Sequence, residues 1–182
     1  GAVDNDWFNA GNWSGGVPNA GVSGTIDTTT NAPEITSAGA ESGTAIIGNT
    51  ATGALTVSEG GTLTASGWIN LGQNLGSEGT AVVTGAGSSL APNVSSFSVG
   101  YSGAGTLTVS DGGRAASGDG AFFAVSYNPG SIGAVTVDGE GSSLHGGSYI
   151  SVGRGGIGTL TVSDGGRATS VMSSMLGILA GS

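Results

Sequence analysis

Reactive side chains are few in this sequence, and their spacing limits the chemistry open to them. Twelve acids stand against three arginines (Arg114, Arg154 and Arg167) and a single histidine, His145, with no lysine and no cysteine. The acids that recur in a fixed setting lie in Gly-rich turns, Glu59-Gly60-Gly61, Asp111-Gly112-Gly113 and Asp164-Gly165-Gly166. Gly85 and Gly139 take the same slot in the intervening segments. If such segments stack at ~4.8 Å, acids on alternate ones lie roughly 10 Å apart, near the ~6.5–9.5 Å that inverting glycosidases use. Asp138 and Glu140 flank this row and would bring a carboxylate closer to Asp111 or Asp164. A polysaccharide-active enzyme is therefore the catalytic alternative. The plainer reading is that these are water-facing corner residues, since Asp and Gly both suit tight turns. Neither Arg114 nor Arg167 belongs to a polar cluster beyond its own corner, so no enzyme is expected.

His145 lies in Ser143-Leu144-His145-Gly146-Gly147, and the nearest acid in sequence is Glu140. A general base or metal ligand needs partners within reach, so an exposed position is expected. The calcium-binding GGxGxDxUx nonapeptide is missing, because Asp164-Gly165-Gly166 and its copies carry no tandem Asp. The sequence thus calls for no metal and no cofactor.

The elements that hold these residues follow from composition. Thirty-nine of the 182 residues are glycine, about three times ordinary usage, which excludes a conventional helical or α/β domain. Only 8% are charged while 37% are apolar, too hydrophobic a balance for a chain kept disordered by charge. The net charge of −9 and pI near 4.1 repel phosphate backbones and anionic lipid, so nucleic acid is not an expected partner. No apolar run approaches the 18 or so residues of a spanning helix, so no direct membrane insertion of this segment is expected. Gly1-Ala2-Val3-Asp4 lacks a basic n-region, and any leader is read as already removed.

Repetition dominates the rest. GALTVSEGG from Gly53 returns as GTAVVTGAG from Gly79, GTLTVSDGG from Gly105, GAVTVDGEG from Gly133 and GTLTVSDGG from Gly158. A period of about 26 residues with strict apolar/polar alternation marks a solenoid. The pairs Leu55/Val57, Ala81/Val83, Leu107/Val109, Val135/Val137 and Leu160/Val162 are expected to point inward. A second strand upstream of each leading glycine adds Ala45/Ile47, Ile69/Leu71, Phe97/Val99, Phe123/Val125 and Ile150/Val152. A weaker third strand follows each corner, at 62–66, 88–91, 114–117, 142–145 and 167–170. The fold expected is all-β: a right-handed, single-stranded parallel β-helix with three short strands per coil.

The two ends break the pattern. Residues 1–23 carry two of the three tryptophans and are expected to form an N-terminal aromatic cap over the first strand edges. Residues 24–182 are expected to form the coils, the first of them irregular around Thr25-Ile26-Asp27 and Ile35. Leu176, Ile178 and Leu179 fall where another upstream strand belongs, and the expectation is of a fragment of a longer solenoid.

On the outward side of the repeat, Thr56, Thr106, Thr108, Thr136, Thr159 and Thr161 align as a surface ladder, the candidate contact site. Thr-x-Thr ladders on solenoids resemble ice-binding faces, a further alternative, although Thr also suits any exposed strand. Val82, Ala134 and Asp138 interrupt the row.

The start NAGNWSGGVPNAG, together with repeated GTLTVSDGG, GSSL and [IF]-x-V-G, resembles the passenger region of bacterial autotransporters (type V secretion). It is closest to the repeat shared with PEP-CTERM-associated surface proteins. The resemblance covers nearly the whole chain. It implies a β-helix secreted to the bacterial cell surface and displayed at the outer membrane, serving adhesion, autoaggregation or biofilm formation as a stiff stalk. Its implied partners are a host-cell or extracellular-matrix component, a surface glycan, or a second copy of itself. It implies no shared active site.

Overall fold

The structure, a computed structural model, describes residues 3–177. Among these residues, apart from a single 3-10 turn at Ala10–Asn12, every regular element is a short strand. The first coil contains β1 (Gly24–Ile26), β2 (Glu34–Ile35) and β3 (Ala40–Ser42), and the second β4 (Ala45–Ile47), β5 (Thr52–Val57) and β6 (Thr62–Ala65). The third has β7 (Ile69–Leu71), β8 (Glu78–Thr84) and β9 (Ser89–Pro92), and the fourth β10 (Phe97–Val99), β11 (Ala104–Ser110) and β12 (Arg114–Ala116). The fifth has β13 (Phe123–Val125), β14 (Ile132–Asp138) and β15 (Ser143–Gly146), and the sixth β16 (Ile150–Val152), β17 (Ile157–Ser163) and β18 (Arg167–Ser170). β19 (Met175–Leu176) then pairs with β16. Ile178 and Leu179, expected in that strand, lie outside the described residues.

Three parallel sheets result: sheet 1 from the first strand of each coil, sheet 2 from the second and sheet 3 from the third. The chain is thus a parallel β-solenoid of about six coils, as its repeats predict. Like pairs with like: Leu55, Ala81, Leu107, Val135 and Leu160 are successive partners, as are Val57, Val83, Val109, Val137 and Val162. Sheet 1 contributes Ala45, Ile69, Phe97, Phe123 and Ile150, with the Phe97 and Phe123 ring centroids 4.8 Å apart. Ala40, Leu63, Leu90, Ala115, Leu144 and Ala168 form the column of sheet 3. Each buried Val, Leu or Ile contributes roughly 1.5–3 kcal/mol, and each packs on a counterpart in the neighbouring coil.

Corners complete the coil. The recurring slot after sheet 2 has positive φ in all five copies: Glu59 at 54°, Gly85 at 89°, Asp111 at 53°, Gly139 at 86° and Asp164 at 46°. The alternation of acid and glycine in this slot is therefore a backbone requirement. Successive corners also lock together, since the Gly60 and Gly112 amides donate to the Ser88 and Ser142 hydroxyls of the following coil, at 3.0 and 3.1 Å.

The two ends differ. The Glu34 amide donates to the Asn5 carbonyl and the Trp7 amide to the Glu34 carbonyl, adding a short rung to β2 and leaving Trp7 only 1% exposed. Trp13 packs edge-on against Trp7 at 4.8 Å. The Asp4 carboxylate accepts 2.7 Å bonds from the Asn9 and Asn12 amides, and these, Asn12 first, hold it below the usual carboxylate range. In the sixth coil, by contrast, Val162 keeps its column register but is 44% exposed. It was expected to be buried, and among the described residues no further strand of sheet 2 covers it.

Candidate functional site

Two of the acids at the end of sheet 2, Asp111 and Asp138, accept hydrogen bonds from hydroxyls of neighbouring coils. Thr84 donates to Asp111 Oδ2 at 2.9 Å, Ser110 donates to Thr84 at 2.9 Å, and Ser163 donates to Asp138. Among the described residues no three His, Asp or Glu side chains come together to hold a metal ion.

His145 and Arg114 differ from expectation. They line one shallow, polar depression of about 260 Å³ outside sheet 3, together with Asp119, Asn93 and Ser117. Pairing of β12 with β15 brings Ala116 beside His145, and Asp119 lies in the loop just beyond β12. His145 is half-buried rather than exposed, with Nδ1 3.0 Å from the Thr169 hydroxyl. Arg114 is thus not confined to its own corner.

The threonine ladder lies where the alternation places it. Thr106 pairs with Thr80 and Ala134, which in turn pairs with Thr159. Thr56 pairs with Val82, followed by Thr108, Thr136 and Thr161. Thr106, Thr159 and Thr161 are exposed, while Thr56, Thr108 and Thr136 are half-buried. Two neighbouring columns make a flat strip with three non-Thr positions, Ala54, Val82 and Ala134.

The outward side of sheet 1 is different. Its central column runs Ile46, Asn70, Ser98, Ala124 and Ser151. Trp68, Ser96, Phe122 and Tyr149 stand immediately before the strands, and Gln73, Tyr101, Tyr127 and Arg154 follow just after them. Both flanking rows rise coil by coil, because the Ile69, Phe97 and Phe123 amides donate to the Ser96, Phe122 and Tyr149 carbonyls and the Tyr127 amide to that of Gly100.

Over coils four to six these rows close into an aromatic roof. Tyr101 stacks on Tyr127 at 5.2 Å, Tyr127 on Phe122 at 5.4 Å and Phe122 on Tyr149 at 5.8 Å. The Arg154 guanidinium lies 4.4 Å from the Tyr127 centroid and 5.6 Å from that of Phe122, a cation–π arrangement worth ~0.5–1 kcal/mol or more. Ala124 and Ser151 are fully buried beneath, and the Ser151 hydroxyl has no partner.

Over coils three and four the roof is missing, because the first row carries only Ser96 between Trp68 and Phe122. A groove of about 250 Å³ opens there, edged by Trp68, Tyr101, Phe122 and Tyr127, with Asn70, Gln73, Ser96 and Ser98 as its polar lining. Asn70 Nδ2 donates to Gln73 Oε1 at 2.8 Å, which leaves the Asn70 carbonyl and the Gln73 amide group to face the groove. Among the described residues the hydroxyls of Ser96, Ser98 and Tyr101 have no protein partner. Trp68 is 60% exposed, an unusual position for the largest apolar side chain.

None of these groove residues was singled out in the sequence. A signal is present, however: half of the chain's aromatic residues flank the sheet 1 strands, as in WINLG, FFAVSY and YISVGR. Compared with known protein families, curated proteins and solved structures, the chain matches none.

Proposed function

We propose that this chain is a passenger segment of a bacterial autotransporter-type surface protein, displayed outside the cell as a stiff adhesive rod. The observation that carries this reading is the groove on sheet 1, where aromatic faces and unpartnered polar groups converge on an otherwise continuous rod. Parallel stacking keeps every coil in register and holds such a surface rigid, so contact costs little ordering entropy. Many modest contacts along a rod, repeated over many copies on a cell, add up through effective concentration. The partner classes are a host or matrix component, a surface glycan, or another copy of the chain. The Thr strip on sheet 2 serves as the polar wall of the stalk.

The test is display of this segment on a non-adherent bacterium. Adhesion or autoaggregation should appear with the segment and fall at least fivefold with Trp68→Ala combined with Tyr101→Ala. If adhesion does not change with the segment, its role is that of a spacer.

A further inference from the structure

We infer that the groove between Trp68 and Phe122 is a binding subsite for one neutral pyranose ring of a glycan chain. This deepens the adhesive reading and rests on it. Three features select the ligand. The aromatic edges Trp68 and Tyr101 offer apolar faces to C–H bonds, while the lining of Asn70, Gln73, Ser96 and Ser98 mixes donors with acceptors. A sugar ring carries both kinds of surface, an apolar face and a rim of hydroxyls that donate and accept. A polyproline segment also docks on aromatic grooves, but it brings only carbonyl acceptors and would leave the Asn70 carbonyl unpaired.

Charge and size narrow the choice further. The groove lining contains no ionised side chain, and Arg154, the nearest cation described, is occupied on Tyr127 and Phe122. A net charge of −9 disfavours an anionic polysaccharide. The volume of about 250 Å³ lies below the ~300–1,000 Å³ of pockets that enclose drug-sized ligands. One ring fits, and the rest of the chain lies on the open surface. Trp68 and Phe122 are two coils apart, roughly 10 Å, which leaves a single ring room between contacts of ~3.5–4 Å on either side.

The test is calorimetric titration of the whole chain with neutral hexose and N-acetylhexosamine oligosaccharides, an alginate oligosaccharide and a proline-rich peptide. At least one neutral oligosaccharide should bind. Trp68→Ala should weaken it tenfold or more, and Trp68→Phe should stay within threefold of the parent. Ser96→Phe, which continues the Trp68–Phe122 row and fills the gap, should also abolish binding without lowering Tm, so loss of binding cannot be mistaken for unfolding. Binding by alginate or peptide alone, no binding by any neutral probe, or binding indifferent to Trp68→Ala would overturn the assignment. The displayed-cell assay separates the two levels. Trp68-dependent adhesion without neutral-glycan binding leaves the adhesive reading standing and removes this ligand class. Adhesion that ignores Trp68 removes the groove from both.

Discussion

Sheet 1 and sheet 2 are built from the same coils at the same spacing, yet their outward faces differ in kind. On sheet 2 the repeat continues to the surface, with Thr or a small residue in nearly every position, and the result is a flat strip. On sheet 1 the repeat stops at the inward pairs, and the flanking positions change from coil to coil: Trp68, Ser96, Phe122, Tyr149 on one side, Gln73, Tyr101, Tyr127, Arg154 on the other. On sheet 1 a serine between aromatic neighbours leaves a groove, whereas on sheet 2 neighbouring coils carry threonine, alanine or valine of similar size. In this solenoid, repetition builds the rod and departures from it build the site.

Both faces hang on one shared frame, and the largest effects come from breaking that frame. Gly72 turns the chain from sheet 1 into sheet 2 with φ 65°, and a Cβ there would sit 2.1 Å from the Ala104 carbonyl oxygen of the next coil. Gly72→Ala is expected to abolish the cooperative thermal transition and both faces with it. Leu107→Ala, between the buried column partners Ala81 and Val135, should cost about 2–5 kcal/mol, read by denaturant unfolding, and should perturb sheets 1 and 2 alike.

The next perturbation separates the faces. Tyr127 stacks on Tyr101 and Phe122 and carries Arg154. Tyr127→Ala should lower stability by about 1 kcal/mol or somewhat more and weaken groove binding tenfold, while leaving the sheet 2 strip unchanged by hydrogen exchange.

Acid acts on the corner between the two sheets. Burial pushes the Asp27 carboxyl up, but the Asn49 amide, the Thr50 hydroxyl and amide and the Ala51 amide of the next coil outweigh it, and the group lies below its usual value of 3.8. A depressed carboxylate stabilises the fold above the unfolded value and loses that contribution as pH falls through the folded one. The thermal midpoint should therefore drop below pH 4, and the drop should be shallower in Asp27→Asn. A slope equal in both proteins would remove Asp27 from the account. The smallest effect belongs to sheet 2: Thr108→Val should change stability by no more than about 0.5 kcal/mol and leave adhesion as it was.

Much of the rod is legible in the sequence because stacked coils demand the same residue at the same place. Leu107, Val135 and Leu160 fall in one column on spacing alone, and the acid in the Asp111 slot marks a left-handed corner because Gly85 and Gly139 replace it. Other positions follow no such rule. Ser126 takes the left-handed slot that Gly48, Gly72, Gly100 and Gly153 fill in other coils, with φ 66°, and its hydroxyl is held by the Ser131 carbonyl and hydroxyl at 3.1 and 2.9 Å. The depression holding Arg114, Asp119 and His145 joins residues from consecutive coils that no common spacing relates. The groove escapes a search for repetition for the same reason, since it consists of the positions that vary. Its alternation of large and small side chains becomes visible only when neighbouring coils are laid side by side.

Adhesion of two variants assayed together on displayed cells tests most directly that the varied face makes contact. One carries Trp68→Ala and Tyr101→Ala; the other carries Ala at Thr106, Thr108, Thr136 and Thr161. With both folded to the parent Tm within a few degrees, the first should lose at least four-fifths of parent adhesion and the second should retain it. Adhesion that survives the first variant and disappears with the second would transfer the contact surface to sheet 2 and contradict the account.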